Sequence, residues 1–290
     1  MISLLSFLSG SIISIMVLLN GSLSQCVGSY YATFITRSIG SVFSFIVCLV
    51  KKKTFKISIS IVILALLGGI FGTCSTILTN YSYTYISMTS IVALTLLGQT
   101  LASALVDQFG LFNMKKSPIS SSTIIGLLIS LLGVALMFDS SINNNVLAVI
   151  LTILSGIAVV LSRVVNANLS QKTDTFTGSF YNYLMGIPFC LLMWGYFESF
   201  HIYNYNTPAL YMYLGGILGV ISLLILVTVI PHISAYNLSL LSFLGQQFTG
   251  FIIDLIYNRF VFDKMFYGAF ICALGFGVSL ILKHRKKGVS

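Results

Sequence analysis

The sequence predicts an all-α integral membrane protein of ten transmembrane helices, built as two five-helix halves in inverted orientation. Three observations predict it. Of 290 residues, 57% are hydrophobic and only 7% are charged, whereas a soluble domain charges roughly a quarter of its positions. The apolar residues fall in runs of the ~20 residues that a helix rising ~1.5 Å per residue needs to cross ~30 Å of hydrocarbon. The chain also repeats itself, since Asn20-Gly21-Ser22-Leu23-Ser24-Gln25 returns 146 positions on as Asn166-Ala167-Asn168-Leu169-Ser170-Gln171.

The runs place helices at 3–21, 30–50, 58–80, 86–106, 121–138, 146–168, 177–197, 209–230, 234–254 and 264–283. The first has no basic flank and no Ala-x-Ala-like cleavage site, so it reads as a retained helix and not a signal peptide. Lys51 to Lys56 separate the second and third, Lys115-Lys116-Ser117-Pro118 the fourth and fifth, Asn143 to Asn145 the two halves, and Asn204 to Pro208 the seventh and eighth. Such polar and proline-bearing stretches are connectors. No stretch resembles an interdomain linker, so 1–290 is one membrane domain, with repeats at 1–140 and 141–290.

Charge fixes an orientation. With ten spans, eleven Lys and Arg fall on the side of the termini and two, Arg259 and Lys264, on the other, with Arg37 and Arg163 inside spans. Basic residues concentrate in cytoplasmic loops, so both termini are expected in the cytoplasm of a bacterial-type inner membrane. The net charge of +9 is scattered over helix ends and forms no continuous basic face, which excludes nucleic acid as a partner. Five cysteines without Cys-x-x-Cys spacing indicate neither a disulfide framework nor a metal site, and no cofactor is expected.

The repeat extends through the chain. Gly10 and Gly40 return as Gly156 and Gly186, Gly68-Gly69-Ile70-Phe71-Gly72 as Gly215-Gly216-Ile217-Leu218-Gly219, Leu97-Gly98-Gln99 as Leu244-Gly245-Gln246, and Asp107 as Asp254. Five spans per copy is an odd number, so the second copy enters the membrane from the opposite face. Inverted repeats are characteristic of secondary transporters, whose halves rock about a site near the midplane.

These residues resemble the drug/metabolite transporter (DMT) superfamily, and within it the YdcZ-like bacterial inner-membrane proteins of two five-helix halves. The likeness rests on Asn20/Leu23 and Asn166/Leu169, on the two Gly-Gly-x-x-Gly motifs, and on Gly98-Gln99 followed by Asp107-Gln108-Phe109-Gly110. Met16 and Ser162 stand where the pattern has glutamine, and Asp254-Leu255-Ile256-Tyr257 replaces the second Asp-x-Phe-Gly. The resemblance implies a DMT-like ten-helix transporter and names no solute.

Candidate site residues follow from what a bilayer penalises. Arg37 lies deep in the second run, where an arginine is costly unless it meets a polar cavity or a partner. It is the candidate contact for a carboxylate-bearing solute. Arg163, nearer a helix end, is expected to snorkel. Gln99 and Gln246 are repeat mates able to donate and accept, so they either bind a polar group or clamp helices. Asn20 and Asn166, with Asn168, fall at predicted helix ends, where they cap or line a cavity mouth. Asp107 and Asp254 are gating or coupling candidates, or helix-end anchors. Tyr81, Tyr83, Tyr85, Tyr203, Tyr205, Tyr211 and Tyr213 read as interfacial belts.

No His-Glu-x-x-His, Gly-x-Ser-x-Gly or Gly-x-x-x-x-Gly-Lys-Ser/Thr pattern occurs, which disfavours an enzyme and an ATP-driven pump. The expected partners are the bilayer, a small-molecule solute, a proton or ion if transport is gradient-coupled, and a second copy if the protein dimerises. The competing expectation is a non-transporting scaffold or accessory subunit, which requires an apolar, fully packed midplane.

Overall fold

The computed structural model describes residues 2–86, 88–111, 116, 121–137, 145–203, 205–256 and scattered positions between 267 and 278; the other positions are not described. Among the described residues there are helices and connectors and no strand. The helices are α1 (Ile2–Val27), α2 (Ser29–Val50), α3 (Ile59–Tyr83), α4 (Met88–Phe109), α5 (Ser121–Met137), α6 (Val146–Lys172), α7 (Thr175–Glu198), α8 (Gly215–Val229) and α9 (Ala235–Ile256). The helix expected at 264–283 lies largely outside the described residues.

Local chemistry sets the ends. Gly28, at φ 89°, breaks α1 from α2, a left-handed conformation that suits glycine because no Cβ clashes. Ser58 caps α3 by accepting from the Ile61 amide at 3.4 Å. Asp174 caps α7 by accepting from the Phe176 and Thr177 amides at 2.9 and 3.3 Å, satisfying two of the orphan donors of a helix start. Pro231 follows α8 in a short 3-10 turn, and another 3-10 turn, Leu210–Leu214, precedes it.

Six helical segments are long and apolar enough to cross a membrane by length and composition: α1, α2, most of α4, α3, α6, and α8 with its flanking turns. The ten spans expected from hydropathy are therefore not all supported by this measure. Among the rest, α7 carries Thr177, Ser179, Tyr181, Asn182 and Tyr183, and α9 carries Ser239, Ser242 and Gln246, all buried. Their polarity faces protein instead of lipid, which lowers their average hydropathy.

Packing follows the repeat. α1 packs on α9 as α6 packs on α4, α3 on α6 as α8 on α1, and α3 on α7 as α8 on α2, while α2 meets α7 and α4 meets α9. Each contact returns with the halves exchanged, which is pseudo-twofold symmetry. Close approaches repeat in the same way. A Cβ on Gly10 would strike the Ser242 carbonyl, and one on Gly156 the carbonyl of Thr95, the counterpart of Ser242. Such small-residue contacts let membrane helices approach closely, and dispersion then holds them.

Connectors from different halves lie side by side. Asp174, the repeat counterpart of Gly28, lies 3.8 Å from Lys53 Nζ at the far end of α2, and the Tyr181 hydroxyl donates to the Lys56 carbonyl at 3.0 Å. At the other end, beside Gly28, the Tyr205 amide donates to the Cys26 carbonyl at 2.9 Å. The α6–α7 connector thus shares a face with the α2–α3 connector, and the stretch before α8 shares a face with the α1–α2 break.

Two expectations are corrected. Asn20, Asn166 and Asn168 do not end helices, because α1 continues to Val27 and α6 to Lys172. Ser24 is satisfied inside the bundle, where it donates to the carbonyls of Gly21 and Asn80. Tyr83 is not wholly interfacial, since its ring fills the space over Gly21.

Candidate functional site: a polar cavity on the pseudo-twofold axis

A cavity of about 150 Å³ lies between the halves. Its lining is the repeat seen in three dimensions. Ten pairs of counterparts face it: Ile13 and Val159, Met16 and Ser162, Val17 and Arg163, Asn20 and Asn166, Arg37 and Tyr183, Gly72 and Gly219, Ser75 and Ser222, Thr76 and Leu223, Thr79 and Leu226, and Gln99 with Gln246. Five of the residues singled out from the sequence, Arg37, Gln99, Gln246, Asn20 and Asn166, therefore meet around one space although they come from five helices.

Arg37 projects from the middle of α2 and is 6% exposed. Its guanidinium donates to Asn182 Oδ1 at 3.3 Å and to Thr76 Oγ1 at 3.4 Å, and lies 4.9 Å from the ring centre of Tyr183. Gly72 makes room for it, since a Cβ there would come within 2.8 Å of Nη2. Asn182 passes the network on by donating to Asn166 Oδ1 at 2.9 Å, and Asn166 donates to Ser162 Oγ at 3.1 Å. Ser162 ends the chain by donating to the Gly68 carbonyl at 3.1 Å.

Arg163 departs from expectation. It does not snorkel; it is 6% exposed and donates to Gln99 Oε1 at 3.0 Å. α6 runs nine residues beyond it to Lys172, too far for the side chain to reach the helix end, and Gln99 offers a nearer acceptor. Tyr183, Asn182 and Ser162 were also not singled out from the sequence. The repeat could have flagged Tyr183, which occupies the position of Arg37 in the second half.

Charge in the cavity is one-sided. Both arginines line it, and no aspartate or glutamate is among the lining residues. A guanidinium offers five N–H donors, of which the described residues accept two from Arg37 and one from Arg163. Each buried cation costs roughly 2.5–3.5 kcal/mol at the middle of a bilayer, so this arrangement is stable only with polar walls, water or an anion present. Thr95 Oγ1, also on the lining, has no hydrogen-bond partner among the described residues.

The two aspartates are elsewhere. Asp107 is buried at the end of α4, and its Oδ2 accepts from the Tyr236 amide at 3.1 Å, in the first turn of α9. A carboxylate there satisfies an orphan donor and complements the helix dipole. Asp254 belongs to α9, and its side chain lies outside the described positions. No group of three or more metal-ligating side chains occurs among the described residues.

The described fold is that of a helical protein with several helices long and apolar enough to cross a membrane. A family model described as "Putative inner membrane exporter, YdcZ" matches residues 1–136 and 147–264, two segments that follow the repeat, and the chain belongs to this family. Twenty-seven chains of solved structures match its fold. One crystal structure superposes with a TM-score of 0.64 at 12% identity, over 98% of this chain and 96% of its own, a likeness of fold alone. No curated protein matches the sequence.

Proposed function

We propose that the protein is a secondary transporter that moves a small solute across the inner membrane by alternating access, with ten spans as a 5+5 inverted repeat and both termini cytoplasmic. The observation that carries this reading is the cavity on the pseudo-twofold axis, lined by counterparts from both halves. A site on that axis can open to either face by rocking one half against the other. Arg37, Gln99, Gln246, Asn20 and Asn166 are the proposed solute contacts. Polar walls at the midplane weigh against a scaffold, which gains nothing from burying two arginines beside an open space.

Asp107 is better placed as an anchor for α9 than as a gate, because its carboxylate holds a backbone amide and is not on the lining. The direct test is flux in liposomes containing the purified protein, compared with Gly72→Leu, whose side chain would push the Arg37 guanidinium aside and fill the cavity. Flux of a labelled solute that this variant abolishes supports transport. Absence of flux for acids, bases and neutral solutes alike would return the scaffold reading.

A further inference from the structure

The cavity is divided by chemistry as well as by symmetry. On the α3–α6 wall stand Thr76, Thr79, Ser162 and Arg163; their counterparts on the α1–α8 wall are Leu223, Leu226, Met16 and Val17. At these four pairs substitution has made the α3–α6 side hydrogen-bonding and the α1–α8 side apolar, while Asn20 and Ser222 on the latter stay polar like their counterparts Asn166 and Ser75. Arg37 leans to the polar wall, since Gly72 of α3 lies under both its Nη2 and Ser162 Oγ. Two cationic heads therefore share one small space with a patch of four apolar side chains.

We infer that the solute is a small amphipathic organic anion, a monocarboxylate whose head lies between Arg37 and Arg163 and whose hydrocarbon body rests on Met16, Val17, Leu223 and Leu226. This rests on the transport reading above and assigns its substrate class. Size bounds the body, because a cavity of about 150 Å³ is what benzene fills in an apolar protein interior, and this one has about 150 Å³. The head is fixed by charge, because a carboxylate takes paired N–H donors from guanidinium in a fork geometry. An inorganic anion would leave the apolar wall unused, and an organic cation would meet two like charges with no carboxylate to receive it.

The test uses the full chain in liposomes and detergent with four probes of matched size: benzoate, benzamide, benzylamine and inorganic phosphate. The protein should speed entry of benzoate into liposomes over protein-free vesicles and benzoate should raise the apparent melting temperature, since a ligand of the folded state must do so, while for the other three the protein should change neither. Arg163→Gln should weaken the benzoate effect roughly ten- to a hundred-fold, the loss of a charge-assisted hydrogen bond, and Arg163→Lys should restore part of it. Leu223→Asn should weaken benzoate more than it weakens short-chain acetate.

Uptake of benzamide or benzylamine equal to that of benzoate overturns the anion assignment and leaves transport standing. Phosphate equal to benzoate overturns the apolar wall. If no probe of any charge enters or stabilises, the transport reading falls with it. Discrimination between the four probes by the unmodified protein decides the inference even if the arginine variants fail to fold.

Discussion

At Gly156 a Cβ would strike the Thr95 carbonyl and crowd the Gln99 amide, so the hydrogen there is what lets α6 touch α4. Gly156→Ala should lower stability by about 1–3 kcal/mol, the usual cost of overpacking. Gly277→Ala is the control, because no described residue lies within 4 Å of its Cβ position, and its thermal unfolding in detergent should match the parent. Asp107→Ala should cost about 1 kcal/mol through the lost cap on α9, with flux per folded molecule unchanged; loss of flux at unchanged stability would make Asp107 a gate instead. At this scale the sequence was legible where a residue type is rare in its setting. An arginine deep in an apolar run and a glutamine repeated 147 positions on both lead to the cavity. Arg163 was misread because depth was judged from an apolar run at 146–168, whereas α6 continues to Lys172.

At the scale of helices, the existence of each described helix was readable from its apolar run, and many ends fell within two residues, as at both ends of α2 and the start of α6. The end of α1 was misplaced because Gly21, Ser22 and Ser24 resemble a connector, and only packing against Tyr83 and Asn80 keeps them helical. The proposed inversion of the halves makes its own prediction. Cysteines placed at Lys53 and Asp174 should be labelled by an impermeant thiol reagent from one face of the membrane, and one at Tyr205 from the other. Labelling of 53 and 174 from opposite faces would refute the inversion. The Lys53–Asp174 pair is itself weak, since both side chains are about a third exposed and such pairs contribute ~1 kcal/mol or less; Lys53→Ala should leave thermal stability almost unchanged.

For the molecule as a whole, symmetry and its local breakage explain most of what the bundle does. The shared pattern of glycines and asparagines keeps the two halves superposable, so the packing of one half prescribes the packing of the other. The substitutions Arg37 against Tyr183, Arg163 against Val17 and Thr76 against Leu223 fall on the lining and differentiate it. The repeat in the sequence pointed to the residues that pair across the cavity, but the contrast between its polar and apolar sides was not legible, because it depends on which helices stand opposite one another in space.

Alternating exposure of that cavity is the central claim, and Thr95 is the place to test it, being on the lining with a hydroxyl that has no partner among the described residues. In protein whose native cysteines are replaced by alanine, Thr95→Cys should react with an impermeant thiol reagent added from either face of the membrane. Protection from both faces by a transported solute should follow. Reaction from one face only, or from neither, would contradict the account.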